Sequence, residues 1–463
     1  MGLPRGMEDI PEQKTKVTSY IPRPAHGGIT YPDRSSRYYI IGTIFLAGLF
    51  GFLDRQIISL LVIPIRTDLH LSNTQVSLLY GFAFVFLFAT VGLFIGRMID
   101  RHSRRTILAI GVAVWSLATV GCGLAPNFTW LFIARVMVGS GEACLAPAAC
   151  SILADCFTPA YRSRALFVYM VGAFVGVGAS MLVGGILFEF IGHQHLTVAG
   201  LASWRLVFVL IGAPGLMIAI LARLMTEPTR KGIVISHGEP AWDRLIPYLA
   251  RHWPLFAAVY AAQAAMAFWT YGLHAWMPTY LIRRFGLSVA AVGTQMGVLL
   301  AAGGIIGALT SVQMCDRWTF GGVPAAKFRI TAIGAMAAFP AMVVLPLATS
   351  AWQVWTCLAV LVTAAPFSSC TATIMMQDLF PNQLRGQGTS LMLFIISLLG
   401  TSAGPLAIGM LIDAGGDNPG QIVKAITFAS LPALLLVVVL WKFSVRRYDT
   451  VRLPILEADT STN

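Results

Sequence analysis

The chain has 463 residues, 57% of them hydrophobic and only 11% charged, against about 25% charged in an ordinary soluble protein. Lys plus Arg is 32 and Asp plus Glu is 20, a net charge of +12, and the charges bunch between uncharged stretches such as 69–96, 252–282 and 330–377. Most of these stretches exceed the ~20 residues a helix needs to cross ~30 Å of hydrocarbon, which excludes a soluble enzyme or a disordered chain and points to a polytopic helical membrane protein.

In chain order, residues 1–37 are polar, rich in Pro, Lys and Arg, and lack the apolar core of a signal peptide. They are expected to be an uncleaved, disordered cytoplasmic tail. Twelve spans follow, at about 38–65, 73–96, 106–124, 129–156, 162–188, 203–225, 252–282, 288–313, 326–347, 351–377, 386–412 and 423–441. The run 330–377 is too long for one helix and turns near Thr349-Ser350. The first six spans make an N-terminal half over 38–225, and the last six a C-terminal half over 252–445. Between them, 226–251 carries Pro228, Gly232, Gly238, Pro240 and Pro247 and reads as a cytoplasmic linker. Within it, Ala241–Ala250 is expected as a short helix on the membrane surface. Residues 446–463 form a second cytoplasmic tail.

Alternating the loops puts 25 Lys and Arg on the side of the termini and five, Arg66, Arg205, Arg283, Arg284 and Lys424, on the other. The positive-inside rule then makes both termini cytoplasmic, in a plasma membrane or bacterial inner membrane. The basic excess is a topology signal, and no nucleic-acid partner is expected. Seven cysteines fall in or at the ends of spans without metal-ligand spacing, so they read as small packing residues, with no metal and no cofactor.

The chain repeats itself weakly. Asp100-Arg101 after span two is matched by Asp316-Arg317 after span eight, close to half the chain further on. Asp155 and Arg162 after span four are matched by Asp378 and Arg385 after span ten, again close to half the chain further on. Two parallel six-helix repeats imply a site between the halves near the bilayer midplane, and alternating access by rocking one half against the other.

At these residues a family resemblance becomes specific. Gly96-Arg-Met-Ile-Asp100-Arg101-His-Ser-Arg104-Arg105 resembles the loop 2–3 signature of the major facilitator superfamily, departing from it at Ser103, where many members carry Gly. Arg135-Val-Met-Val-Gly139-Ser-Gly141-Glu142-Ala143 resembles that superfamily's fourth-helix motif. Asp54-Arg55, Glu142, Trp204-Arg205 and Glu227-Pro228 resemble the spinster-like branch, whose known members export lysophospholipids or sphingosine-1-phosphate. The resemblance covers about 38–445 and implies the all-α, twelve-helix major facilitator fold and a transported small-molecule or lipid substrate.

Four charges lie deep in spans: Asp54, Arg55, Arg135 and Glu142. A charge at mid-bilayer is costly and usually meets a partner or a wet cavity. Arg135 and Glu142, two turns apart, share a face of span four, whereas Asp54 and Arg55 point about 100° apart on span one. One reading is a static clamp in which an arginine neutralises the acids. The other is proton coupling, in which a carboxylate moves between environments that raise and lower its pKa. Gly96, Asp100, Arg101, Arg104, Arg105, Asp316 and Arg317 read as a gate that stabilises one arrangement of the halves, not as substrate ligands. The substrate candidates of the C-terminal half are aromatic or weakly polar: Gln263, Phe268, Trp269, Tyr271, His274 and Gln377.

No catalytic constellation emerges. There is no Walker loop or HExxH, and the GxSxG at Gly400–Gly404 lies inside a span, where a hydrolase elbow cannot form. The expectation is a monomeric, proton-linked secondary transporter of an amphiphilic, lysophospholipid or sphingoid substrate, with the bilayer, protons and the substrate as its partners. The competing expectations are a transporter of small organic or aromatic acids or drugs, and a non-transporting receptor or scaffold.

Overall fold

The computed structural model describes residues 31–194, 200–230, 242–381 and 384–461, and every regular element among them is a helix. Twelve long helices run in order. They are α1 (Arg34–Leu60), α2 (Asn73–Ser77 continuing through Ala83–Arg101), α3 (Arg104–Leu124), α4 (Phe128–Cys156), α5 (Pro159–His193) and α6 (Ser203–Leu224). The second set is α7 (Trp253–Phe285), α8 (Val289–Phe320), α9 (Ala326–Leu347), α10 (Ala351–Ala364 continuing as Pro366–Leu379), α11 (Arg385–Gly415) and α12 (Pro419–Ser461). Eleven are plainly apolar and long enough to span a bilayer. The twelfth, α7, dilutes its hydropathy with Gln263, His274 and several aromatic side chains, but its 33 residues more than suffice.

The starts are written locally. Ser72, Ser103, Asn127 and Ser288 each place a side-chain oxygen on a free N–H of the following first turn, which fixes where α2, α3, α4 and α8 begin. The ends differ from expectation. α5 runs to His193, α8 to Phe320, and α12 through Ser461, across the segment expected as a tail. Charges limit the hydrocarbon-crossing stretch, but Lys, Arg and Glu are good helix formers, so a helix continues into water. The linker helix forms over Trp242–Arg251. Residues 1–30 of the expected tail and 231–241 of the linker lie outside the described residues.

Within the N-terminal half α1 packs on α5 and α6, and α3 on α4 and α6; within the other, α7 packs on α11 and α12, and α9 on α10 and α12. The halves meet along two seams, α2 against α11 and α5 against α8, with α1 facing α7 between them. Glycines make the seams close: a methyl group on Gly178 would lie 2.6 Å from Gly297 O, and one on Gly81 2.9 Å from Ser402 O. Both helices of the α2–α11 seam widen to π-type turns where they face each other, Leu78–Phe82 and Ile396–Ser402. The bundle end bearing the linker is the near end below, and the opposite one the far end.

Candidate functional site

α1 carries three features toward the bundle centre. At Gly51 the helix faces α4: a methyl group there would lie 3.3 Å from Leu145 Cδ2 and 3.9 Å from the Glu142 carboxyl carbon, which places that acid beside α1. One turn on, Asp54 is 1% exposed. Its Oδ2 accepts from the Thr119 hydroxyl of α3 at 3.2 Å, and its Oδ1 has no hydrogen-bond partner among the described residues. Glu142 is also buried, and its Oε1 likewise has no partner there.

Arg135 is fully buried, but it does not pair with either acid. Its guanidinium donates to three backbone carbonyls: Asp54 O at 3.2 Å, Arg55 O at 3.4 Å and Leu79 O at 3.4 Å. It therefore ties α4 to α1 and α2. Arg55, the third feature, is half-buried and has no hydrogen-bond acceptor among the described residues. Instead its guanidinium lies 4.2 Å from the ring centroid of Phe84, 5.4 Å from Phe88 and 5.5 Å from Tyr271. Three aromatic rings from both halves surround one cation, each contact worth about 0.5–2 kcal/mol depending on desolvation. Among the described residues no ion pair joins the four intramembrane charges, which departs from the clamp geometry in which an arginine sits on a carboxylate.

The aromatic candidates of α7 separate. Tyr271 and Phe268 are half-buried, with Tyr271 turned to Arg55, and the His274 ring sits 6.5 Å from that of Tyr271. Trp269 is fully buried with its indole N–H on Met266 Sδ at 3.3 Å. Gln263 is buried in a packed polar cluster, where its Oε1 accepts from Ser368 and Thr331 lies beside its amide. The side chains of Gln377 and Asp100 lie outside the described residues.

At the near end the hub of the N-terminal half is Arg104, only 1% exposed. It binds Asp155, Glu227 Oε1 at 2.9 Å, Ser151 Oγ at 3.1 Å and Pro228 O at 2.7 Å. Glu227 also accepts from Ser103 Oγ at 2.8 Å and from the backbone N–H of Arg105 at 3.0 Å. Partial burial opposes its ionised form, but the Arg105 N–H, Arg104 and Ser103 outweigh this and hold its pKa below the ordinary glutamate value. Arg105 donates to Met225 O at 2.8 Å, Arg101 is exposed, and Gly96 is half-buried.

The C-terminal half repeats this hub with different residues. Lys327 binds Asp378, which also meets Tyr448 OH at 3.2 Å and Arg452 Nε at 3.4 Å. Asp449 accepts from the Ala325 N–H at 3.1 Å, as Glu227 does from the start of α3. Asp316 and Arg317 are exposed, so the repeat lives in Lys327 and Asp449 rather than in that dipeptide. The signal was present: the offset that carries Asp155 to Asp378 also carries Arg104 to Lys327.

Several bonds cross between halves at the far end. Arg66 holds Asp417 of the other half at 2.5 Å, where Arg283 of that same half joins it at 2.6 Å, and Ser77 Oγ donates to Pro405 O at 2.8 Å. Two exposed apolar grooves of about 470 and 460 Å³, beside Trp130 and Trp355, are lined by no charged side chain.

The sequence and the fold are both matched by known proteins. The profile of the Major Facilitator Superfamily covers residues 44–405. The chain belongs to this superfamily. It is 28% identical over 392 residues to an MFS-type efflux pump of Mycolicibacterium smegmatis, covering 82% of this chain and 85% of that one. It is 25% identical over 408 residues to protein spinster homolog 1 of Xenopus tropicalis, covering 83% and 75%. A crystal structure of a bacterial homologue of the human lysosomal transporter spinster, inward-facing and unoccupied, superposes with a TM-score of 0.71 at 26% identity, over 92% of this chain and 99% of that one. The spinster-like resemblance read from the sequence therefore extends over most of the fold.

Proposed function

We propose that this transporter is a proton-coupled carrier of an amphiphilic, lipid-like substrate of lysophospholipid or sphingoid type, working by alternating access. The observation that carries the reading is Arg55. A guanidinium that makes no ion pair with a carboxylate among the described residues, walled by Phe84, Phe88 and Tyr271 and shared between halves, suits an acidic headgroup with an apolar tail beside it. Asp54 adjoins Arg55 in α1, and Glu142 sits one turn earlier against Gly51. Each has an oxygen without a hydrogen-bond partner among the described residues, and these two acids are the proton carriers. Burial in a low-dielectric interior favours a carboxylate's neutral form, and opening to water favours the ionised one. The positive-inside count makes the near end cytoplasmic, so the far-end bridges close the outer side in a plasma or bacterial inner membrane.

The test is transport in proteoliposomes with and without an imposed pH gradient. Asp54→Asn and Glu142→Gln, neutral at every pH, are expected to remove the response to the gradient while leaving exchange partly intact. Wild-type behaviour in both variants refutes the coupling. Across a chain-length series each buried methylene is worth about 0.8 kcal/mol, roughly fourfold in affinity. The similarity to an efflux pump favours a second reading, a compact lipophilic drug or organic acid, and affinities independent of chain length would select it.

A further inference from the structure

One short pattern occurs twice at the far end. In α11 it is Gly409-Met-Leu-Ile-Asp413, and in α5, about half the chain earlier, it is Gly185-Ile-Leu-Phe-Glu189. Each faces the first turn of a helix in the other half. Asp413 Oδ1 accepts from the backbone N–H of Asn73 at 3.1 Å and from its amide at 2.7 Å. Oδ2 accepts from the N–H of Thr74 at 2.8 Å and its hydroxyl at 2.6 Å. Glu189 Oε1 accepts from the N–H of Ala290 in α8 at 3.1 Å.

The receiving turns match as well. Ser72 and Ser288, set apart by the same half-chain repeat, are the N-caps of α2 and α8, and each hydroxyl takes the third N–H of its helix, from Gln75 and Ala291, both at 3.1 Å. The N–H groups that a helix cannot satisfy by itself are thus divided between its own serine and an acid of the opposite half. The glycine one turn before each acid admits the approach. A methyl group on Gly409 would lie 2.2 Å from Ser77 Oγ, and one on Gly185 would lie 3.0 Å from Ala290 Cα and from Val289 O.

We propose that Asp413 and Glu189 are twin latches, each holding one seam of the far end shut by capping a helix of the other half, so that together they set the balance between the two access states. A carboxylate at a helix N-terminus gains from both hydrogen bonding and the partial positive charge there. Rocking the halves apart strips both acids from their helices at once, because the two seams are related by the repeat. The Arg66–Asp417 bridge also crosses the halves, but it joins two side chains and caps no helix, so it adds to the closure without belonging to the repeated device.

The proposal rests on alternating access, and its test needs neither substrate nor proton gradient, so its failure is separate from that of the transport reading. Spin labels at Thr67 and Lys424, exposed far-end positions of the two halves, report the opening by pulsed dipolar spectroscopy in native membranes, in a cysteine-free background. Asp413→Asn and Glu189→Gln are each expected to raise the long-distance to short-distance ratio roughly three- to tenfold, and the double variant by the product of the two. Asp413→Glu, which keeps the charge, should stay nearer the wild type. Asp68→Asn, whose partner Arg205 belongs to the same half, should change nothing. An unchanged distribution in both neutral variants overturns the proposal. So does a shift from only one of them, or an equal shift in Asp413→Glu, which would report lost packing instead of a lost latch.

Discussion

Replacing Arg104 by Met removes the hub of the near-end network while keeping a long side chain. The Arg104 side chain is 2% exposed and serves Asp155, Glu227, Ser151 and Pro228 O together, so the substitution strips a counter-charge from two acids at once. Breaking a buried pair costs about 3–5 kcal/mol. Glu227 is 27% exposed and partly screened, which puts the expected loss at the lower end, about 3 kcal/mol. At ~2–4 °C per kcal/mol for a unit of 150–250 residues, the melting temperature of the purified protein should fall by about 6–12 °C. Arg104→Lys should lose less, about 1–2 kcal/mol. An ammonium already satisfies the corresponding aspartate in the Lys327–Asp378 pair, and only the fork to Glu227 and Pro228 is forfeited. The effect carries a pH signature. Glu227 is held below its ordinary value of 4.5 in the folded protein, so its contribution is complete above that value and is lost as pH falls through the folded one. The gap between wild type and Arg104→Met should therefore be full near neutral pH and narrow below about pH 4.5. A variant melting within about 2 °C of wild type at neutral pH would refute the hub, and a gap that persists undiminished in acid would refute the role given to Glu227.

Gly139→Ala should destabilise the N-terminal half by about 1–3 kcal/mol, seen as lower melting, because the added methyl would lie 2.0 Å from Phe84 O on the neighbouring α2. The same substitution at Gly42, where a methyl group meets nothing within 4 Å, should be near neutral. Single cysteines at Ser35 and Thr460 should react with impermeant reagents only from the cytoplasmic side and one at His193 only from outside; the reverse pattern would overturn the orientation drawn from the charge count.

Much of the fold is legible in one dimension. Apolar length and the spacing of charges mark twelve spans. The start of α2 is legible because Ser72 and Gln75 form a capping box within four residues. Helix ends are less so. Nothing in the hydrocarbon limit stops α8 near position 313, and it continues to Phe320 through Asp316 and Arg317. The candidate site is legible as residue types. That Asp54, Arg55, Arg135 and Glu142 lie deep in spans follows from their distance to the nearest loops, but their partners do not follow.

Partners are a matter of where helices far apart in the chain touch. Arg135 sits on the carbonyls of Asp54 and Arg55, 81 and 80 residues away, because its long buried side chain reaches from α4 past α2 to the backbone of α1. Arg55 faces Phe84, Phe88 and Tyr271 because the two halves close around it. Trp269 and Gln263 look like site residues in the sequence of α7, yet the rotation of that helix against its neighbours sends them into packing. Composition and the spacing of apolar runs determined the membrane-spanning character and the span count, since both depend on solvation energies that add along the chain. Which carboxylate caps which helix, and which arginine goes without an acid, was decided by the docking of the halves, because a hydrogen bond such as Asn73 to Asp413 spans 340 residues and exists only when two surfaces meet.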